Sequence, residues 1–142
     1  MRQARVLLIA GLTFLTAACA PGPARTDAAP LDAEALIEAL TAAGAEVENG
    51  GAVEQLFFSV DGQILRVNGQ DVQVFEYPDT AARQADSEQI SPDGSTIGTT
   101  MVTWIDRPNF WAKDALIVLY VGQDETTVGA LTAIMGEPLT GG

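Results

Sequence analysis

The sequence predicts an α+β domain: a mainly antiparallel sheet of about five strands with helices packed on it, in the order α-β-β-β-α-β-β-α. Two hairpin dipeptides, Asp61-Gly62 and Asn68-Gly69, separate runs of strand-forming residues. Three other segments have apolar residues at helical spacing and an aspartate where the helix would begin. Because hairpins connect antiparallel strands, helices packed on one such sheet are the natural fold class.

The first half of the domain is predicted to hold one helix and three strands. The helix lies in LDAEALIEALTAAGAEVE (31–48), where Asp32 can cap the N-terminus and Gly44 can end the helix. VEQLFFSVDGQILRVNGQDVQVFEYPD (53–79) is rich in β-branched and aromatic residues, so it is predicted to form three strands joined by the two hairpin dipeptides. Pro78 ends the third strand, since proline has no backbone N–H.

The next segments are predicted to form a helix, a strand and a turn. DTAARQADSEQI (79–90) is predicted to be a helix capped by Asp79. The fourth strand is predicted over Thr99–Ile105, and DRPNFWAKD (106–114) is predicted to be a turn or wide hairpin because it contains Asp, Pro and Asn.

The last two elements carry the strongest patterns. Ala115–Val121 is a continuous apolar run of strand length, which favours a central strand covered on both faces. A final helix is predicted from near Asp124 to Gly136, with apolar residues on one side. With a length of 142 residues the chain suits one domain with one sizeable core.

The N-terminus has the pattern of an export signal. Arg2 and Arg5 precede the apolar run Val6–Ala18, which ends in small residues. This run is shorter than the ~20 residues of a transmembrane helix. Residues 1–18 are therefore predicted to be a signal peptide.

LTAAC (15–19) resembles the lipobox of bacterial lipoproteins. The resemblance implies cleavage between Ala18 and Cys19, and attachment of a fatty acid such as palmitate to Cys19. Thr16 departs from the aliphatic residue that is usual three positions before the cysteine. The alternative is cleavage after Ala20 at an ordinary signal-peptidase site, which would discard Cys19.

Residues 19–30 are predicted to comprise this cysteine and a flexible tether rich in proline and alanine, and residues 31–142 are predicted to form the single globular domain. Lipid attachment anchors a protein to a bilayer without spanning it. This organisation predicts an exported protein held at the extracytoplasmic face of a bacterial membrane.

The charge balance restricts the partners. The chain has 7 basic and 19 acidic residues, a net charge of −12, and without Arg2 and Arg5 the charge is −14. A surface this acidic repels nucleic-acid phosphates and anionic lipid headgroups, so no nucleic-acid partner is predicted. It favours solubility and cationic partners.

The composition also restricts the chemistry. The chain has no histidine, so a Ser/His/Asp or Cys/His centre cannot form, and one cysteine cannot make an internal disulfide. We predict no catalytic residues, no metal site and no cofactor, and the prediction leans away from an enzyme. The alternatives are a carboxylate pair among scattered acids, or calcium bound by Asp93 in SPDGSTIG, although no EF-hand pattern is present.

TWIDRPNFWAKD (103–114) holds the candidate binding surface. Aromatic side chains offer a large rigid contact area, and an arginine can stack on them. The alternative is that the aromatic residues belong to the core, where such residues are usually found. The candidate binding residues are Trp104, Arg107, Phe110 and Trp111.

Three segments, residues 53–79, SPDGSTIGTTMVTWID (91–106) and ALIVLYVG (115–122), resemble parts of a family of small, uncharacterised exported bacterial lipoproteins. The likeness covers Leu31–Leu139 and implies a surface-anchored bacterial domain, with no activity to transfer.

Anchor, tether and composition together predict a lipid-anchored, non-catalytic binding or interaction domain with an unknown ligand. Its expected partners are membrane lipid through Cys19 and a protein or small molecule of the envelope. The alternatives are an extracytoplasmic enzyme that uses carboxylates or a metal, and a structural envelope component or inhibitor.

Overall fold

Three helices and seven strands follow one another along residues 29–140, the part of the chain that the computed structural model describes. The helices are α1 (Ala33–Ala42), α2 (Thr80–Ser87) and α3 (Glu125–Met135). The strands are β1 (Val47–Val53), β2 (Gly62–Val67), β3 (Gln70–Glu76), β4 (Thr96–Ile97), β5 (Thr100–Met101), β6 (Pro108–Lys113) and β7 (Leu116–Val121).

The main sheet has five strands in the order β1-β2-β3-β7-β6, and every neighbouring pair is antiparallel. The short strands β4 and β5 form a separate two-stranded sheet within the connection from α2 to β6. Apart from this small sheet, the elements follow the predicted order. The predicted α+β class is confirmed.

Helices and loops cover opposite faces of the main sheet. On one face, α1 and α3 pack over β2, β3, β6 and β7. On the other face, α2 and the loops around residues 54–61 and 90–105 pack over the same sheet. β7 alternates between the two cores: Leu116 and Val118 face the helices, while Ile117 and Leu119 face the loops. Its apolar run therefore belongs to an interior strand buried on both faces, as predicted.

All three predicted N-caps are confirmed. The Asp32 carboxylate accepts a hydrogen bond from the Ala35 backbone N–H (2.8 Å), and Asp79 accepts one from Ala82 (2.7 Å). Asp124 accepts from the Thr127 N–H at 2.8 Å. Each cap satisfies a helix N–H that has no partner within the helix, which is worth about 1 kcal/mol.

The Asn68-Gly69 hairpin is confirmed. Both residues have positive φ, 49° and 81°, as a two-residue turn of this kind requires, and they join Val67 of β2 to Gln70 of β3. The second predicted hairpin turn is wrong. Gly62 begins β2, where a Cβ atom would lie 2.7 Å from the ring of Phe75. The glycine permits close packing within the sheet, and residues 54–61 make the connection instead.

The first strand lies earlier than predicted. β1 occupies Val47–Val53, which includes the end of the predicted helix, and it accommodates Gly50-Gly51 through a bulge between Asn49 and Gly51. The strand-like residues Phe57 and Phe58 lie in the following loop. Phe58 is nevertheless buried against Phe75, so it gains core contact without belonging to a strand.

The predicted strand at Thr99–Ile105 and the predicted turn at 106–114 are also wrong. Within the first segment only Thr100–Met101 forms a strand, and within the second Pro108–Lys113 forms β6. Pro108 is tolerated because it is the first residue of an edge strand. The turn lies at Asp114-Ala115, where Asp114 has φ 49° and joins β6 to β7.

C-terminal residues cover the outer edge of β6. The Leu139 N–H donates to the Phe110 carbonyl (2.6 Å), and the Phe110 N–H donates to the Thr140 hydroxyl (3.0 Å). An edge strand with unpaired backbone groups invites pairing with another chain, so these bonds protect it. Leu139 is thereby held at the β6 edge of the sheet.

Candidate functional site

Two of the four predicted binding residues are buried in the core. Phe110 and Trp111 are neighbours on β6, and both are 0% exposed. Successive strand residues point to opposite faces, so Phe110 enters the loop-side core and Trp111 enters the helix-side core. The Trp111 Nε1–H donates to the Thr132 hydroxyl of α3 at 3.3 Å. The candidate surface is corrected accordingly, because a sheet covered on both faces buries adjacent strand residues.

The other two predicted residues do not lie together. Trp104 is half-buried, and its Nε1–H donates to the Gly94 carbonyl at 2.7 Å. Arg107 is exposed and lines a separate depression of about 380 Å³ beside Asn109 and Gln123. The four predicted residues therefore do not form one platform.

A different apolar surface surrounds Trp104. Leu56 is 94% exposed and Ile105 is 99% exposed, and each follows or precedes an aromatic residue directly in the chain. The rings of Phe57 and Trp104 meet edge-to-face, with centroids 6.2 Å apart. Leu56, Phe57, Trp104 and Ile105 thus lie on two adjoining loops, and together they are named the loop surface.

Sequence reasoning missed three members of this surface. The sequence pattern predicts strands at Leu56, Phe57 and Ile105, where alternate residues would point inward. The available signal was weak: Asp106, which has turn propensity, directly follows Ile105, whereas Asp61 lies four residues after Phe57. Their exposure depends on tertiary packing, which local propensity does not report.

A groove adjoins the loop surface. Trp104 and Ile105 line one side of it, β3 and the end of β7 line the other, and its volume is about 450 Å³. Two glutamines of β3 supply polar groups: Gln70 accepts a hydrogen bond from the Tyr120 hydroxyl (3.0 Å), and Gln73 accepts one from Gln55 (2.9 Å). The groove therefore has a polar wall on the β3 side and an apolar wall at Trp104 and Ile105, and polar groups beside apolar ones can orient a ligand.

A buried carboxylate fixes the loop that carries Leu56. Asp86 of α2 is 7% exposed, and its Oδ2 accepts from the Ser59 N–H (2.7 Å), the Ser59 hydroxyl (2.8 Å) and the Tyr77 hydroxyl (2.9 Å). Burial, followed by the hydrogen bond and negative charge of Asp86, raises the pKa of Tyr77 above its ordinary value, so the hydroxyl stays a donor. Charge-assisted bonds of this kind are strong, so the 54–61 loop is held in place.

Acidic residues outnumber basic ones around these loops. Leaving out Arg2, Arg5, Arg25 and Asp27, residues 29–140 carry 18 Asp or Glu and 4 Lys or Arg, a net charge of −14. The four cations of this part all have partners within the chain: Arg66 bonds Asp71, Arg83 bonds the Asp114 carbonyl, Lys113 bonds the Ile134 carbonyl, and Arg107 also interacts.

Two exposed acids stand at the ends of the 54–61 loop. Glu54 and Asp61 line a shallow depression of about 230 Å³ with Ala52 and Val53. Asp106 follows Ile105 and is also exposed. The Arg107 N–H, and then the Gln123 amide, hold the pKa of Asp106 below its ordinary value, so it stays negatively charged. The loop surface thus has an acidic rim.

Asp93, the residue of the calcium alternative, organises its own turn. Its Oδ1 accepts from the Ser91 hydroxyl (2.7 Å), the Ser95 hydroxyl (2.9 Å) and the Ser95 N–H (3.0 Å). These bonds, that of Ser91 first, lower the pKa of Asp93 to about 2. Across residues 29–140 no three Asp, Glu, Cys or His side chains are grouped so that they could hold a metal ion.

The predicted signal peptide and the predicted lipidation site at Cys19 lie outside the described residues. Over residues 29–140 there is no helix with the length and apolar character needed to cross a bilayer. Comparison with protein-family models, curated proteins and solved structures found no match. The likeness to exported lipoproteins therefore stays a prediction.

Proposed function

We propose that this protein is an exported, lipid-anchored, non-catalytic binding domain, and that the loop surface and its groove are the binding site. The observation that carries the site is the near-complete exposure of Leu56 and Ile105 beside the packed Phe57–Trp104 pair. Burying one such aliphatic side chain is worth about 1.5–3 kcal/mol. A partner that buries both side chains on binding would gain this free energy from each of them.

The second support is the fixed geometry of both loops. The Asp86 carboxylate holds Ser59, and the Trp104 indole holds the Gly94 carbonyl. A site that is already ordered loses little conformational entropy when a ligand binds, which favours affinity.

The membrane part of the proposal rests on Cys19 and the tether of residues 20–30. A lipid on Cys19 would hold the domain near the bilayer. Eleven tether residues reach at most about 36 Å when extended. The domain would then meet partners close to the membrane surface.

Incorporation of labelled palmitate in a bacterial host tests the anchor. The full-length chain is expected to take up the label and to fractionate with membranes, and Cys19→Ser is expected to lose both. Thr16→Leu, which restores the aliphatic residue of a lipobox, is the matched control and should keep the label. An unlabelled parent chain whose N-terminus is Pro21 would contradict the anchor and support cleavage after Ala20.

Site-specific photo-crosslinking in intact cells tests the binding site. A benzophenone amino acid replaces Ile105 or Leu56 in the full-length chain, and Leu139, which is 44% exposed at the β6 edge, serves as the control position. We expect discrete adducts from positions 56 and 105 and few from position 139. Equal adduct patterns from all three positions, or none from 56 and 105, would refute the site.

A further inference from the structure

We infer that the partner of the loop surface is a protein segment that presents Lys or Arg side chains beside apolar ones. This inference rests on the proposed binding function and names the chemistry of its ligand. It follows from three features of the same region: exposed apolar side chains, an acidic rim and polar groups suited to a peptide backbone.

The apolar feature sets where the partner would be anchored. Leu56 and Ile105 project from loops whose aromatic neighbours are packed, and the groove beside Ile105 is large enough, at about 450 Å³, for one or two side chains. Aliphatic or aromatic side chains of a partner would bury Leu56 and Ile105. A few well-packed, fully desolvated side chains carry most of the binding energy of a protein interface.

The acidic rim sets the sign of the partner's charge. Glu54 and Asp61 flank one loop, Asp106 follows Ile105, and Asp71 lines the groove. Asp71 forms a salt bridge with Arg66 at 3.2 Å. The net charge of −14 over residues 29–140 adds a long-range attraction for cations, and the Phe57 and Trp104 rings suit an arginine.

The same charge disfavours the other occupants of an apolar surface. A second copy of this chain would bring another acidic domain into contact. Anionic lipid headgroups and nucleic acids would be repelled likewise. A basic protein segment satisfies both the apolar and the electrostatic character of the site.

The glutamines of β3 favour a peptide over a compact cation. Gln70 and Gln73 use their amide oxygens as acceptors from Tyr120 and Gln55. In these bonds, among the described residues, the two amide nitrogens are not used, so they can donate to backbone carbonyls of a segment in the groove.

Fluorescence anisotropy with defined peptides tests the inference on the full-length protein in phosphatidylcholine nanodiscs. The probes are labelled 12-residue peptides of Lys and Leu, of Glu and Leu, and of Lys and Ser. We expect saturable binding of the Lys/Leu peptide alone. Ile105→Ser should weaken it about tenfold, the loss of roughly 1.4 kcal/mol of apolar contact.

Paired charge variants separate the rim from the general charge. Glu54→Gln with Asp61→Asn should weaken binding about threefold to tenfold and reduce its salt dependence. Glu34→Gln with Glu38→Gln removes the same charge from α1, and Leu139→Ser removes an apolar side chain elsewhere; both should change binding less than twofold. Circular dichroism of each variant verifies folding.

Four results would overturn the inference. If Glu34→Gln with Glu38→Gln weakens peptide binding as much as Glu54→Gln with Asp61→Asn, the attraction is unspecific. If the Glu/Leu or Lys/Ser peptide binds as tightly as the Lys/Leu peptide, the site does not require a partner that is both basic and apolar. If brominated lipid quenches the fluorescence of Trp104 and Ile105→Ser reduces this quenching, the loop surface binds the membrane and not a protein segment. Crosslinks from position 105 without Lys/Leu binding would refute only the basic partner, whereas missing crosslinks would refute the binding function itself.

Discussion

The two faces of the main sheet are completed by different kinds of structure. On one face, α1 and α3 bury Leu36, Leu40 and Leu131 completely against the strands. On the other face, the short helix α2 buries only Asp86 among its own residues. The apolar cover there comes from loops and the small sheet, through residues such as Phe58 and Ile97.

This difference explains where exposed apolar residues occur. A helix with an apolar stripe exposes its other positions to solvent, so polar residues can occupy those positions. The loops of the opposite face bury Phe58 and half-bury Trp104, while Leu56 and Ile105, which lie close to them in the chain, are exposed. Loops on a rigid scaffold are also where binding residues concentrate. The loop-covered face is therefore the proposed functional face.

The largest expected effect lies in the helix-covered core. Trp111→Ala would leave a cavity between β6 and the helices and break the bond to Thr132, lowering the free energy of unfolding by about 3–5 kcal/mol. Trp104→Ala, on the loop side, should cost less because the side chain is only half-buried. Urea denaturation measures both, and equal losses would remove the distinction between the faces.

The next effect concerns the buried carboxylate that secures the loop side. Asp86→Ala leaves the Ser59 N–H and the Tyr77 hydroxyl without their acceptor, and should cost about 2–3 kcal/mol. A double-mutant cycle with Tyr77→Phe should show coupling, because the two residues share one bond. A loss below about 0.5 kcal/mol would mean that the carboxylate does not hold the loop.

A smaller effect is expected from pH at the 91–98 turn. The folded pKa of Asp93, about 2, lies below its ordinary value of 3.8. Its stabilising contribution is therefore complete above about pH 4 and is lost as the pH falls through 2. The NMR shift of the Ser95 amide, which donates to Asp93, should titrate with a midpoint near 2. Asp93→Asn should abolish this titration, and a midpoint near 3.8 would contradict the hydrogen-bonded turn.

The smallest effect on stability is expected at the surface itself. Ile105→Ser should change the free energy of unfolding by less than about 0.5 kcal/mol, since its side chain is 99% exposed. Ile97→Ala, on the same face but 2% exposed, should cost about 2–4 kcal/mol. Thermal denaturation compares the pair. A large loss from Ile105→Ser would mean that this side chain supports the fold rather than a partner.

Local signals predicted much of this fold correctly. The aspartate caps, the Asn68-Gly69 turn and the apolar run of β7 each depend on backbone geometry or burial that a few neighbouring residues decide. The errors fell where tertiary contacts override local preference. Gly50-Gly51 fits a bulged edge strand, Pro108 begins another edge strand, and Phe57 and Phe58 pack from a loop.

The candidate site was harder to predict than the fold. TWIDRPNFW contains one member of the loop surface with a half-buried ring, Trp104, and one that is fully exposed, Ile105. Its other aromatic residues, Phe110 and Trp111, are core residues because both faces of β6 are covered. The partner of Trp104, Phe57, is distant in sequence, and only the folded chain brings their rings together.

The crosslinking yield from position 105 relative to position 139 tests the central claim most directly, because both positions are exposed and lie on different parts of the domain. The proposed binding surface predicts discrete adducts from position 105 in intact cells, which Leu56→Ser reduces, and only background from position 139. The same yield from both positions, or a yield from position 105 that Leu56→Ser leaves unchanged, would contradict it.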